Sequence, residues 1–152
     1  MTRGEKAEEL FRSGCNCAQA VLGAFSDLTG LEKETAIKIS APFGGGMGKL
    51  REVCGTVSGA LMVLGLLCAS TDPGNHGEKT ALYGSVQEYA ARFREKEGSI
   101  ICRELLKNVK TDPSPHPEER TDAYYHRRPC GQTVHDAADL LEELLKEKGV
   151  LS

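Results

Sequence analysis

Between Glu52 and Cys68 the sequence is apolar on nearly every side of a helix. That stretch constrains the fold more than any other feature. A helix apolar all round belongs inside a protein or in a bilayer. The longest apolar run, Ala60–Ala69, is far short of the ~20 residues a membrane span needs. Other helices must therefore wrap around it, and it reads as a buried central helix. Gly55 and Gly59, four apart, give it a smooth face for close packing, and that face would also serve a homodimer.

The flanking sequence supplies such helices. Thr2 with Glu5 forms a capping box for a short helix reaching about Arg12. Asn16 is placed to cap a second helix, Cys17 to Leu28, with Gly30 at its left-handed end. A third covers Glu32–Ser40 and is followed by a glycine-rich loop, Ala41 to Gly48. Lys79–Glu97 reads as an amphipathic helix with Leu82, Val86, Tyr89, Ala90 and Phe93 inward and Gly98 as its stop. Ser99 can cap a short helix over Ile100–Lys107. Residues 110–129 carry four prolines and no periodicity, which predicts an extended surface segment. A last helix runs from about Val134 to Lys148 with Thr133 as its cap. No stretch alternates at period two for long, so no sheet is expected. The expectation is an all-α, single-domain bundle over 1–152, with about five to seven helices.

Composition narrows the function. The 152 residues hold 19 Lys and Arg against 22 Asp and Glu, a net charge of -3, and no Trp. Nothing there favours nucleic acid or an anionic membrane. The opening MTRGEKAEEL lacks the apolar stretch of a secretory signal, so a cytoplasmic protein without membrane insertion is expected. In that compartment cysteines are more often catalytic, redox-sensing or metal-binding than structurally cross-linked. This chain has six.

Four of them fall at expected helix starts: Cys17, Cys54, Cys102 and Cys130. Unpaired N–H groups and the positive dipole end stabilise an anion there. A thiolate is such an anion, and it is the form that attacks disulfides and binds metals. Lys49, Arg51, Arg103, Arg127 and Arg128 add positive charge nearby. Cys68 falls in the last turn of the central helix and reads as core; Cys15 lies in the break beside Cys17. Gly44, Gly45, Gly46 and Gly48 let the backbone turn tightly beside Cys54 and present N–H groups to a sulfur or anion. They match neither a Walker A loop nor a dinucleotide fingerprint. His76, His116, His126 and His135 show no ligand spacing.

Asn16–Val21, Phe43–Gly48, Cys54–Gly59, Arg92-Phe93, Cys102–Leu106 and Cys130, in that order, together resemble the C_GCAxxG_C_C family of redox-active proteins. Thr56 stands where the family motif has Ala. The resemblance covers about residues 10–145, and it implies redox activity carried by Cys17, Cys54, Cys102 and Cys130.

Three functions follow from the residues. The first is electron transfer or dithiol–disulfide exchange with a redox partner, in the form of a thiol-dependent oxidoreductase. Chain order suggests the pairs Cys17 with Cys54 and Cys102 with Cys130, although four cysteines allow three pairings. The second makes the same four cysteines metal ligands, for an iron–sulfur cluster or, less readily, zinc. The third is a non-catalytic interaction module with structural cysteines, docking through residues 110–129.

Overall fold

The computed structural model describes residues 1–152. The chain is all helical. Helix α1 (Arg3–Arg12) starts at Thr2, whose hydroxyl accepts from the Glu5 N–H at 3.0 Å. Helix α2 (Cys17–Gly23) opens on a reciprocal capping box between Asn16 and Gln19, both bonds 2.9 Å. It stops short of the expected Leu28. Phe25 leaves the helical region (φ -112°, ψ 18°) and is fully buried, so core burial of its ring ends the helix. A single turn, α3 (Ser26–Thr29), follows and closes on Gly30 at φ 72°.

Helix α4 (Lys33–Ser40) leads through a 3₁₀ turn, Ala41–Phe43, into α5 (Gly44–Met47). That piece is one turn, with Gly45 and Gly46 left-handed inside it. The central helix α6 (Gly55–Cys68) starts three residues later than expected, with Cys54 as its N-cap. Residues 52–54 are instead extended. Val53 forms an isolated antiparallel bridge with Ile101, flanked by bonds from Cys54 N to the Ile100 carbonyl (2.7 Å) and from Cys102 N to the Glu52 carbonyl (2.6 Å).

Helix α7 (His76–Glu97) begins earlier than expected because Asn75 accepts from the Glu78 N–H at 3.1 Å. One turn, α8 (Cys102–Leu105), follows the bridge, capped by Ile101 and not by Ser99. The proline segment is not wholly extended: Thr121 caps α9 (Asp122–Arg127), which buries Tyr124. Helix α10 (Cys130–Glu147) begins at Cys130, and Thr133 lies inside its first turn, its hydroxyl donating to the Pro129 carbonyl at 3.1 Å. The single turns bring the helices above the expected number.

Helix α10 packs along α1 and also touches α6, α7 and α2, while α2 lies against α6. Phe11, Val21, Leu22, Phe25, Val57, Val63, Leu64, Tyr89, Phe93, Leu141, Leu144 and Leu145 are buried between them. The Tyr89 hydroxyl, deep in that core, donates to the Ala137 carbonyl at 2.8 Å. The central helix is buried on one side only. Val57, Ala60, Val63 and Leu64 are enclosed, Leu61, Met62 and Leu67 half-buried, and Leu66 44% exposed. Its smooth face is used within the chain. A Cβ on Gly59 would lie 2.7 Å from the Ala18 carbonyl, and one on Gly55 3.1 Å from Cys17 Cβ. The glycines that suggested a homodimer are thus covered by α2. No helix is long and apolar enough to cross a membrane.

At the C-terminus of α7, Glu97 meets Asp136 of α10. Burial, together with the Asp136 carboxylate, raises the Glu97 carboxyl from 4.5 to about 7. A carboxyl whose pKa rises on folding stabilises the fold when protonated, and that contribution is lost as pH climbs through the folded value. The Glu97→Gln variant, which cannot ionise, is expected to show a smaller fall in thermal stability between pH 4.5 and 7 than the parent. An unchanged pH dependence would sever the link to this pair.

Candidate functional site

One cavity of about 250 Å³ brings the four expected cysteines together, although they lie 113 positions apart at the extremes. Cys17 is the first residue of α2, Cys54 the N-cap of α6, Cys102 the first residue of α8 and Cys130 the first of α10. All six cysteines are free thiols. Cys15 and Cys68 lie outside the cavity, half-buried against the core.

The glycine loop forms one wall through Gly44, Gly45, Gly46 and Gly48. Every residue from Gly45 to Lys49 has positive φ, as does Arg51 at 61°. This left-handed run folds the loop onto α8: a Cβ on Gly46 would sit 2.7 Å from Cys102 Cβ and from the Glu52 nitrogen. It also turns Arg51 inward, where its guanidinium donates to Cys102 Sγ at 3.8 Å.

The opposite wall is the proline segment, through Pro115, Pro117, Glu118, Arg120, Tyr124 and Arg128. Arg120 fastens it, donating to the Phe11 carbonyl (3.1 Å) and the Cys15 carbonyl (3.2 Å), with its guanidinium over the Phe11 and Tyr124 rings. Arg128 is buried to 5% side-chain exposure and pairs with Glu118 at 3.0 Å. Arg103 and Arg127, two of the cations marked from sequence, pair instead with Glu52 and Glu118. Tyr124 and Tyr125 pack this segment down, as their place in the sequence suggested, but sequence reasoning did not single out Arg120 or Glu118. Their only local signal was a polar, proline-rich context, which says nothing about what they reach.

The four thiols are not equivalent. Cys130 is held down to about 7 by the neighbouring Cys17 thiol, against the opposing effect of burial, with further help from Arg128 and Arg51. Cys17 is in turn pushed well up by Cys130, then by burial and the neighbouring sulfurs. Burial drives Cys54 up to about 11, although the Thr56 hydroxyl lies 3.1 Å from its sulfur. Burial also raises Cys102, partly offset by Arg51. Of the four thiols at helix starts only Cys130 is lowered, through Cys17 and the two arginines. Desolvation can move a thiol by several units, whereas a helix terminus contributes roughly 0.3–1 kcal/mol at exposed sites. Cys17 and Cys130 influence each other most strongly, while all four thiols share the cavity.

The donor set was also weighed as a metal site. No three Cys, His, Asp or Glu side chains are grouped to hold a metal ion, so the four thiols do not form a tetrahedral zinc site as they stand. An iron–sulfur cluster takes its cysteines as thiolates, and the metal itself displaces the thiol protons on binding; Cys17, Cys54, Cys102 and Cys130 are the residues of the cavity that would hold it. No step is built on either group.

The model of one protein family, described as "Putative redox-active protein (C_GCAxxG_C_C)", matches residues 15–144. No curated protein and no solved structure matches the chain.

Proposed function

The chain belongs to the C_GCAxxG_C_C family, and from that premise we propose that it is a thiol–disulfide redox protein in which Cys130 attacks and Cys17 resolves. The observation that carries this reading is the coupled Cys17–Cys130 pair on the wall of a cavity, one thiol lowered and the other raised. Thiol exchange needs that asymmetry: an attacking thiol with a pKa near ambient pH, and a second that stays protonated until its turn.

The Cys130 thiolate attacks one sulfur of a substrate disulfide. That S–S bond breaks, a Cys130–substrate mixed disulfide forms, and the first substrate half leaves as a thiolate. Cys17 then gives up its proton to the departed half and attacks Cys130 Sγ. The second half leaves as a thiolate, and a Cys17–Cys130 disulfide remains. The protein has lost two electrons and the substrate has gained them. A dithiol reductant, reacting in the reverse sense, restores the pair. Arg128 and Arg51 stabilise the anionic sulfur at both steps. Cys54 and Cys102 line the same cavity and supply a second dithiol beside the pair.

Protein purified without oxygen is expected to be colourless, and on mild oxidation to lose two thiols first, mapped by mass spectrometry to a Cys17–Cys130 link. Stoichiometric iron and sulfide, with visible bands lost in Cys54→Ser, would sink the exchange reading in favour of a cluster.

A further inference from the structure

Resting on the exchange reading, the geometry points to the substrate class: we propose that the cavity takes a small anion bearing an S–S bond, its negative charge held by Arg51 and Arg128. Two independent features carry this.

The first is charge. Lys49, Arg51, Arg120 and Arg128 line the cavity, with Glu118 as the one carboxylate, in a chain whose net charge is -3. Two of these cations are committed to the wall: Lys49 donates to the His116 carbonyl, and Arg120 to the Phe11 and Cys15 carbonyls. Arg51 and, in part, Arg128 remain. Arg51 makes a single long contact to Cys102 Sγ. Arg128 spends Nη2 on Glu118, while its Nε is buried without a hydrogen-bond partner. A buried guanidinium donor left unpaired is costly. A carboxylate or sulfonate oxygen is the partner that its geometry matches.

The second feature is size. About 250 Å³ is below the ~300–1,000 Å³ of sites for drug-sized ligands. The proline segment is fastened as one wall of the cavity by Arg120, Lys49 and the Glu118 pairs. A volume of that order suits a small molecule.

The test compares reagents that differ in charge. Cys130 is alkylated in the full-length reduced protein with iodoacetate and, separately, with iodoacetamide, and the rates are read by peptide mass spectrometry. The ratio of the two rates cancels the thiolate fraction, so a shift in Cys130 ionisation does not disturb it. Relative to free cysteine, the ratio is expected to favour iodoacetate about tenfold or more, to fall with added salt, and to collapse toward the free-cysteine value in Arg51→Gln. Arg51 is half-exposed, so that variant remains informative if Arg128→Gln fails to fold. In the Cys17→Ser protein, which traps the mixed disulfide, dithiodiglycolate and tetrathionate are then set against neutral hydroxyethyl disulfide. The trapped mass identifies an organic or an inorganic source. Faster trapping of either anion supports the inference, whereas a free-cysteine ratio, or neutral disulfide trapping as fast as both anions, overturns it. Those results leave the exchange reading standing. That reading falls separately if iodoacetamide does not single out Cys130.

Discussion

Iodoacetamide at pH 7 is expected to label Cys130 first, and the Cys130→Ser variant to lose that fast phase entirely. At its value of about 7, Cys130 is about half thiolate at that pH. Cys54, at about 11, is thiolate in roughly one molecule in 10⁴. Lower basicity makes a weaker nucleophile, and a Brønsted slope of about 0.45 takes back roughly 60-fold over those four units. A preference of about 100-fold for Cys130 over Cys54 remains, before burial of Cys54 widens it. The sign with pH follows directly. Below about pH 7 the rate rises tenfold per unit as the thiolate forms, and above it the rate levels off. In Cys17→Ala the neighbouring thiol that lowers Cys130 is gone, so the inflection moves to higher pH. A profile for the parent with no inflection below pH 8.5, or one that Cys17→Ala leaves in place, would remove the coupled pair from the mechanism.

The second large effect is expected at Gly46. Its φ is +68°, and an added Cβ meets Cys102 Cβ and the Glu52 nitrogen at 2.7 Å and Arg51 Cα at 2.8 Å. Two of these neighbours are backbone and cannot step aside. Gly46→Val therefore adds a left-handed penalty of roughly 1–2 kcal/mol to an overpacking cost of roughly 1–3 kcal/mol. For a chain of this length the sum lowers Tm by roughly 10 °C. It also pushes α8 away, so Cys102 leaves the cavity wall. Gly48 serves as the control. Its φ is +58°, yet the nearest atom to an added Cβ is the Pro42 carbonyl at 3.9 Å, leaving only the conformational part. Differential scanning calorimetry of both variants separates the two costs. Equal losses at the two positions would mean that the loop does not press on α8.

Much of the helical framework was legible because its signals are local. Asn16 and Gln19 satisfy each other three residues apart, and Thr2 does the same for Glu5. The 3.6-residue period of α1, α7 and α10 depends on nothing distant. Boundaries failed where a distant partner took over. Phe25 is pulled into the core and ends α2 early, and the Val53–Ile101 bridge holds residues 52–54 extended.

The same division runs through the site. The sequence by itself determined that four thiols sit at helix starts and that a glycine loop precedes one of them, since both are matters of spacing along the chain. Only the tertiary structure decided which thiols meet, which one is acidic and what faces them. Those properties depend on burial and on charges from far along the sequence: Arg51 turned by a left-handed loop, Arg128 carried in by α9, and residues 113–120 folded back over α1 by Arg120. The energy of taking a thiol out of water, and of setting one sulfur against another, exceeds the local helix-terminus effect. The ranking of the four cysteines was therefore fixed by packing.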